Sequence, residues 1–388
     1  MASIRKRPER PKPWEVLYRD PEGKQRSSSF ARKLDAQRFV NTMEADKLRG
    51  TYVDPHAGKV IFREFAEAWL ERQTFDATTR ISVDSRLRTH VYGPLGGHEL
   101  RAIKPSVLQA WVRGKTDVLA PSYVALILGH VSSIMAAAVD DQLIPSNPAA
   151  SKSVKAPKAE RRKVVPWTVE QVHAIAEHHP ERYEALPILG AGTGMRQGEM
   201  FGIAVEDVDW LRHTLHIRVQ VRLLAGHPSF APPKGGRVRE VPLSETVAVA
   251  LSEHLRRYPA QEVTLPWVER DGEPVTRRLI FTGPKGASLN KNTHNERVWK
   301  PALREADFEP TRETGMHQLR HHFASVLLDA GVSVAALADY LGHENPSVTL
   351  NVYSHMMPDT SGRAREAIDK AHRRDVGQVL ANAAQDGS

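Results

Sequence analysis

The sequence contains no cysteine among its 388 residues. This absence excludes disulfide bonds, thiolate zinc sites and cysteine nucleophiles, and it favours a protein of a reducing cytoplasm. Long hydrophobic runs are scarce as well, because the most apolar stretch, residues 124–139, is interrupted by His130, Ser132 and Ser133. That stretch is shorter than the roughly 20 residues that cross a membrane. The basic N-terminus is followed by neither an apolar segment nor a small-residue cleavage site, so we expect no signal peptide and no membrane association.

Positive charge, by contrast, is abundant and unevenly placed. The formal net charge is +8, and residues 1–50 alone hold 13 lysines and arginines against 7 aspartates and glutamates. A surplus of this kind indicates a polyanionic partner. The length exceeds that of one typical domain and suggests two or three.

Residues 1–55 predict a small α+β domain, with two short strands at 14–18 and 26–30 joined by an Asp-Pro-Glu-Gly turn. The helix that follows ends near Gly50, and its apolar stripe is Leu34, Phe39, Val40 and Met43. A basic arm precedes the strands and supplies three candidate DNA contacts, Arg5, Lys6 and Arg7. A solvated basic surface on a structural cap would have the same composition.

Residues 60–147 predict an all-α domain. Its first helix carries apolar residues at helical spacing, namely Phe62, Phe65, Ala66, Trp69 and Leu70. Residues 148–166 predict an extended basic linker that either lies along a phosphate backbone or acts as a plain tether. The candidate DNA contacts of this linker are Lys152, Lys155, Lys158, Arg161, Arg162 and Lys163.

Residues 167–362 predict a mixed, mainly-α domain with a small antiparallel sheet. Thr168 and Gln171 have the spacing of a capping box at its start. The strand-like segments 214–224 and 237–243 flank a Pro-Pro-Lys-Gly-Gly turn, which predicts a hairpin tip that carries Lys234. In the tail, residues 363–388, a narrow helical stripe predicts docking on another surface, either of the same chain or of a neighbour.

Six residues of this domain have the chemistry to transfer a DNA phosphodiester onto a phenol. Paired guanidiniums can stabilise the charge that builds on phosphorus, and a helix over 317–330 places His317 and Arg320 on one face. We predict that His317 takes the proton of the tyrosine and that Lys234 protonates the leaving oxygen. The six candidates are Arg196, Lys234, His317, Arg320, His343 and Tyr353, and Glu199 is expected to brace Arg196.

Other readings of these motifs are weaker. The spacing of Gly190, Gly192 and Gly194 does not match a dinucleotide-binding loop. A zinc site on His317 and His321 lacks an obvious third ligand, and no carboxylate cluster suggests a metal-dependent nuclease. We therefore expect neither a metal nor a cofactor.

The order Arg196, Lys234, His317-x-x-Arg320, His343, Tyr353 resembles the catalytic set of the tyrosine recombinases, or phage integrase family. The resemblance implies that Tyr353 is a nucleophile that forms a 3′-phosphotyrosyl link, without metal or ATP. It further implies that residues 60–147 form a core-binding domain and that residues 1–55 resemble an arm-type DNA-binding domain.

An integrase of a temperate phage or integrative element is the expectation that follows. By resemblance it would act as a homotetramer on core and arm sites of double-stranded DNA, through a Holliday junction, in the bacterial cytoplasm at the nucleoid. An excisionase and a DNA-bending host protein are further expected partners, and the tail would dock on a neighbouring protomer. A chromosome-dimer-resolving recombinase and a catalytically dead DNA-binding regulator remain alternatives.

Overall fold

Three separate hydrophobic cores organise the chain. The computed structural model describes residues 2–19, 23–48, 52–54, 57–158, 163–356 and 361–372. The chain divides into two units, Met1–Arg161 and Arg162–Ser388. The first unit contains two of the cores and the second unit contains the third.

The smallest core lies between a sheet and one helix, as the sequence predicts. The antiparallel sheet has the strand order β1 (Ser3–Lys6), β2 (Trp14–Arg19), β3 (Gln25–Phe30), and the helix is α1 (Lys33–Leu48). Val16, Tyr18, Ala36, Val40 and Met43 are buried between them.

Two expectations for this region are wrong. The basic arm is not a free arm, because Arg5 and Lys6 belong to β1, which pairs with β2 along its whole length. Leu34 does not belong to the buried stripe, since 59% of it is exposed, and Ala36 takes the inward position. The predicted end of the helix near Gly50 lies outside the described residues.

The second core is all-helical and contains each of the five residues predicted for its first helix. The helices of this core are α2 (Phe62–Glu71), α3 (Ala77–Arg86), α4 (Tyr92–Leu95), α5 (Pro105–Thr116) and α6 (Pro121–Asp140), with a π-helical turn at Leu87–Val91.

Helix α6 is longer than the sequence pattern suggests. Among the described residues it is the one helix long and apolar enough to cross a membrane by length and composition, so the expectation of a shorter stretch is wrong. One face of α6 is buried in the helical core through Val124, Ile127, Val131 and Ile134, which accounts for much of its apolar composition.

The basic linker begins later than residue 148. Pro148 is buried in a short 3₁₀ helix that Asn147 caps, and Asn147 also donates to the Ser132 carbonyl at 2.9 Å. Val154 packs on the helical core, and the Lys155 backbone N–H donates to Gln109 at 2.7 Å. These contacts attach the first part of the predicted linker to the helical core.

The second unit surrounds the buried helix α8. Its α-helices are α7 (Val169–Glu177), α8 (Ala185–Thr193), α9 (Gln197–Gly202), α10 (Glu245–Arg257), α11 (Lys291–His294), α12 (Lys300–Glu305), α13 (His317–Asp329), α14 (Val334–Leu341), α15 (Pro346–Tyr353) and α16 (Ser361–His372). Helices α7, α10 and α13 pack directly on α8. The capping box of Thr168 and Gln171 is confirmed, and α13 spans almost the predicted residues before Gly331, which adopts φ +82°.

The strands of this unit form three small antiparallel sheets. They are β4 (Val208–Asp209), β5 (Thr214–Ile217), β6 (Gln220–Leu224), β7 (His227–Ala231), β8 (Arg239–Pro242), β9 (Gln261–Pro266) and β10 (Pro274–Leu279). The sheet orders are β4-β5-β8, β6-β7 and β9-β10.

The predicted hairpin is partly right. Strands β5 and β8 pair as expected, from Thr214 opposite Pro242 to Ile217 opposite Arg239. A second hairpin, β6-β7, lies between them in sequence, and its tip is the Ala225-Gly226 turn. Lys234 therefore lies on a loop that connects two sheets and not at a hairpin tip, because β6 turns back at Ala225-Gly226 and pairs with β7 before the chain reaches β8.

Candidate active site

Arg196 precedes the short helix α9 and is held there by Glu199. The Glu199 carboxylate accepts hydrogen bonds from Arg196 Nη1 at 3.0 Å and from the Arg196 backbone N–H at 2.8 Å. Glu199 is fully buried, whereas 23% of the Arg196 side chain remains exposed. This arrangement fixes the guanidinium at the edge of the protein interior, as the sequence leads us to expect of Glu199.

Arg239 is a second buried cation on the same carboxylate. Its Nη1 and Nη2 donate to the two oxygens of Glu199 at 3.1 and 2.7 Å, and its Nε donates to the Tyr340 carbonyl at 2.6 Å. Burial raises the pKa of the Glu199 carboxyl, but the hydrogen bonds and charge of Arg239, with the charge of Arg196, bring the net pKa below its usual value. Glu199 is therefore ionised at neutral pH.

Arg320 is the most deeply buried arginine of the site, with 1% of its surface exposed. Its Nη1 donates to the Gly194 carbonyl at 2.8 Å, and its Nη2 donates to the Leu341 carbonyl at 2.5 Å. These carbonyls lie at the C-terminal ends of α8 and α14, where the helix dipole favours a cation. Burial and the neighbouring Arg196 lower the pKa of Arg320 to about 9, so the guanidinium stays charged at neutral pH.

His343 lies between Arg320 and Thr349. Arg320 Nη2 donates to His343 Nε2 at 2.9 Å, which assigns the ring proton to Nδ1, and Nδ1 then donates to Thr349 Oγ1 at 2.6 Å. Burial first, and then the charges of Arg320 and Arg196, lower the pKa of His343 to about 4. The ring is neutral and its orientation is fixed by hydrogen bonds on both sides.

Tyr353 ends helix α15, and 1% of its surface is exposed. Its hydroxyl lies 2.9 Å from His321 Nδ1, and the two rings meet edge to face at 5.6 Å. Burial raises the pKa of Tyr353 to about 12, although the charges of Arg320 and Arg196 act in the opposite direction. The phenol is therefore protonated in the free protein.

His317, which the sequence predicts as the partner of the tyrosine, makes no hydrogen bond to Tyr353 among the described residues. Its ring lies at the surface and meets the His321 ring edge to face at 4.7 Å. Partial burial lowers the pKa of His317 to about 4, and the charges of Arg320 and Arg196 act in the same direction. The structure thus places His317 beside the two arginines and places His321 on the tyrosine.

Lys234 lies on the exposed loop between β7 and β8. Within the described residues it has no hydrogen bond or ion pair. The end of the same loop is anchored beside His343, because Arg237 donates to the His343 carbonyl and to Asp339, the latter at 3.0 Å. The structure brings the loop to the border of the site without bringing Lys234 into contact with it.

The electrostatics of the site suit an anion. Three arginines, Arg196, Arg239 and Arg320, surround one ionised carboxylate, Glu199, and the neighbouring histidine His343 is neutral. Guanidinium groups bind phosphate oxygens through paired N–H donors. The cluster therefore has the chemistry to bind a phosphate.

The basic residues predicted to contact DNA differ in their surroundings. Arg5 and Arg7 form ion pairs with the buried Glu15 at 2.6 and 2.9 Å, and Lys6 lies 5.6 Å from the Trp14 ring centroid. In the linker, the exposed members are Lys152, Lys155, Lys158 and Lys163, whereas Arg161 and Arg162 lie outside the described residues.

The contacts of His321, Arg239 and Thr349 in this cluster are not among those predicted from the sequence. Arg239 alternates with exposed residues along β8, so its inward position could have been found from strand periodicity. His321 follows Arg320 directly, but the position of its ring beside Tyr353 depends on how α13 and α15 pack. No local pattern predicts such a contact.

A model of the phage integrase family matches residues 166–359. The chain belongs to the phage integrase family. Among similar proteins of this family, the prophage phiRv2 integrase of Mycobacterium tuberculosis is 25% identical over 91% of this chain and 90% of its own length. The tyrosine recombinase XerC of Myxococcus xanthus is 30% identical over 68% of this chain and 82% of its own length.

Solved structures of phage and transposon integrases share the fold. The Tn1549 transposon integrase, in complex with a circular intermediate DNA, aligns with a TM-score of 0.67 and 20% identity over 79% of this chain and 99% of that one. A lambda integrase tetramer bound to a Holliday junction aligns with a TM-score of 0.59 and 17% identity over 89% of this chain and 93% of that one.

Proposed function

We propose that this protein is a site-specific DNA recombinase, the integrase of a temperate phage or integrative element. It cuts and rejoins double-stranded DNA through a 3′-phosphotyrosyl intermediate on Tyr353. The observation that carries the proposal is the buried tyrosine beside Arg320 and Arg196, whose charges reach its hydroxyl. A tyrosine in that position can attack a phosphate that the arginines hold.

Each polar group of the site has a place in the reaction. Arg196 and Arg320 bind the non-bridging oxygens and stabilise the charge that develops on phosphorus. His317, at the surface beside both arginines, and His343 complete the phosphate site. The oxygen of Tyr353 forms a bond to phosphorus while the bond to the 5′ oxygen breaks, and Lys234 supplies the proton of that leaving group.

The reaction as proposed requires neither a metal ion nor ATP. The transition-state charge is met by guanidinium groups that the protein already holds in place. The phosphotyrosyl bond keeps the energy of the cleaved phosphodiester, so rejoining needs no nucleotide.

A recombinase that resolves chromosome dimers is the second candidate, with the same chemistry. The XerC relative favours it, but its match covers 68% of this chain, whereas that of the prophage integrase covers 91%. A match of that length takes in most of the first unit as well as the second. The integrase is therefore the better supported function, and a catalytically dead regulator is less consistent with the assembled site.

The partners follow from the same proposal. We expect a homotetramer that pairs two DNA duplexes, with residues 1–55 on arm sites and residues 60–147 with the catalytic domain, 167–362, on core sites. An excisionase and a DNA-bending host protein are further expected partners, and the site of action is the bacterial cytoplasm at the nucleoid. In the tail, Ile368 of α16 is 59% exposed, which suits docking on a neighbouring protomer.

Covalent trapping tests the proposed function. Suicide substrates carrying the core site, mapped from the junction of the excised circle, should link covalently to the wild-type protein in EDTA without nucleotide. Tyr353→Phe should bind the same DNA and form no adduct, because only the attacking oxygen is removed. An adduct on the phenylalanine variant, or a requirement for Mg²⁺, would contradict the proposal.

A further inference from the structure

The hydroxyl of Tyr353 has one hydrogen-bond partner among the described residues, His321 Nδ1 at 2.9 Å. Because burial keeps the phenol protonated, its hydrogen needs an acceptor, and a buried donor left unpaired is costly. The hydroxyl therefore donates to Nδ1. It follows that His321 is the neutral tautomer with its own hydrogen on Nε2.

The other side of the His321 ring opens to solvent. A cavity of about 300 Å³ is lined by Lys163, Arg312, His317, Gln318 and His321. Nε2 has no hydrogen-bond partner among the described residues, and it does not belong to their buried, unpaired nitrogens. Nδ1 thus faces the nucleophile while Nε2 faces a water-accessible cavity.

We propose that His321 is the base that takes the proton of Tyr353 during strand cleavage. This inference rests on the proposed function, since it assumes that Tyr353 attacks the DNA phosphate. As the tyrosine oxygen bonds to phosphorus, its proton moves to Nδ1 of His321, and the bond to the 5′ oxygen breaks. The leaving oxygen takes the proton of Lys234, and the new imidazolium releases its Nε2 proton to water in the cavity.

His317 is less suited to this step. It lies at the surface and makes no hydrogen bond to Tyr353 in the described part of the chain. Its contact with His321 is an edge-to-face packing of the two rings. Its place beside Arg196 and Arg320 suits a contact with the phosphate. In the His-x-x-Arg-His motif, His317 therefore contacts the phosphate and His321 accepts the proton of the nucleophile.

The surroundings of His321 determine its pKa and therefore its strength as a base. Burial, His317 and Arg320 hold the pKa of His321 well below its usual value, at about 4, so Nδ1 is unprotonated at neutral pH. A phosphate bound at Arg320 brings negative charge close to the His321 ring. This charge raises the pKa of the ring and makes it a better base at the moment of proton transfer. The ionisable groups that face the ring are His317 and Arg320 on α13, Tyr353 on α15, and Lys163, Arg312 and Glu313 around the cavity.

The test compares pH profiles of single-turnover cleavage on the suicide substrate. His321→Ala should cleave about 10²–10⁴-fold more slowly at neutral pH, the usual contribution of a general base. Its rate should rise about tenfold per pH unit toward the pKa of the phenol, and added imidazole should restore part of the loss. His317→Ala should be slower without the steeper pH profile and without rescue by imidazole.

A second variant separates proton transfer from positioning. His321→Asn keeps an acceptor near the tyrosine but takes up no proton, so it should bind the half-site normally and cleave as slowly as His321→Ala. Full activity of the asparagine variant, or a wild-type pH profile for His321→Ala, would overturn the role of His321. In that case a covalent adduct with the wild-type protein would still support the proposed function. Absence of any adduct with wild-type protein would instead reject the function itself.

Discussion

At the scale of single residues, Glu199 compensates the positive charges of the buried arginine cluster. The carboxylate is fully buried and accepts hydrogen bonds from Arg196 and Arg239, which would otherwise repel one another. Removing one partner of a buried ion pair leaves an uncompensated charge and costs about 3–5 kcal/mol. Glu199 is thus the counter-ion of Arg196 and Arg239, and its ionised carboxylate has no proton to donate.

We predict that Glu199→Gln lowers the free energy of unfolding by about 3–5 kcal/mol. The rate of DNA cleavage should fall as well, because Arg196 and Arg239 lose the carboxylate that holds them. The folded pKa of Glu199 lies below the unfolded value of about 4.3. Its contribution is therefore fully present above that value and is lost as pH falls through the lower folded pKa. Urea unfolding against pH should show that acid loss in wild-type protein and a smaller one in the variant.

Glu240→Gln is the matched control. Glu240 neighbours Arg239 on β8 but points outward, and it is paired with His216 at the surface. Its replacement should change stability by less than about 0.5 kcal/mol. Equal effects of the two substitutions would show that Glu199 is not the counter-ion.

At the scale of elements, a buried pair of histidines packs α11 against the rest of the second unit. His294 is 3% exposed and packs against Phe201 and Tyr183, with ring centroids at 5.1 and 5.5 Å. Within the described part of the chain, both of its ring nitrogens are buried without a hydrogen bond, as is Nε2 of the neighbouring His179. Burial lowers the pKa of His294 to about 3 and that of His179 to about 4.

These two side chains should make the domain sensitive to mild acid. The unfolded chain binds their protons below about pH 6.5 while the folded chain does not. Stability is therefore complete above that pH and falls as pH drops toward the folded pKa values, by about 1.4 kcal/mol per pH unit for each histidine.

We predict that His294→Phe reduces the fall of the free energy of unfolding with decreasing pH by about 1.4 kcal/mol per pH unit, the contribution of one proton. At neutral pH the domain should be as stable as wild type or more stable. The change removes two unpaired nitrogens and keeps the aromatic packing. Denaturant midpoints measured from pH 7 to pH 5 provide the test. His178→Gln, at an exposed neighbouring position, should leave the slope unchanged, and an unchanged slope in His294→Phe would disprove the account.

The elements themselves were predictable where the signal was local. The capping box of Thr168 and Gln171 and the helix predicted over 317–330 each depend on neighbouring residues, and each is found where expected, with Gly331 just after the end of α13. The hairpin with Lys234 was only partly predicted, because β6 and β7 pair with one another inside the run that pairs β5 with β8.

For the candidate site, the sequence predicts residue types but not the contacts between them. The order of arginines, histidines and tyrosine indicates the chemistry, yet it does not say which imidazole meets the phenol. That pairing joins two residues 32 positions apart and depends on the packing of α13 and α15. The same holds for Arg239 and Glu199, which lie 40 positions apart.

At the scale of the whole molecule, the N-terminal domain has a core of its own. Val16, Tyr18, Val40 and Met43 form a cluster that is separate from the helical core. Arg5 and Arg7 pair with Glu15 there, so the number of basic groups free to meet DNA is smaller than the sequence suggests. A domain of this kind can be removed without opening the other cores.

We predict that a chain starting at Lys59 still binds and cleaves core-site DNA but fails in integration, because arm sites are no longer bound. Binding of the intact chain to arm DNA should weaken with salt at a log–log slope of about −0.9 for each phosphate contact. Gel shifts on core and arm duplexes, together with an integration assay in cells, provide the measurements. Normal integration by the shortened chain would show that the domain is a structural cap.

The covered position of Tyr353 bears on genome integrity. A DNA-binding protein meets on the order of 10⁶ or more non-specific sites in a chromosome. On the proposed function, a nucleophile whose hydroxyl is protonated and whose surface is 1% exposed would not react during those encounters. Breaks would then be confined to the sites where a DNA phosphate meets the arginine cluster, so the burial of Tyr353 would also protect the host chromosome from stray cuts.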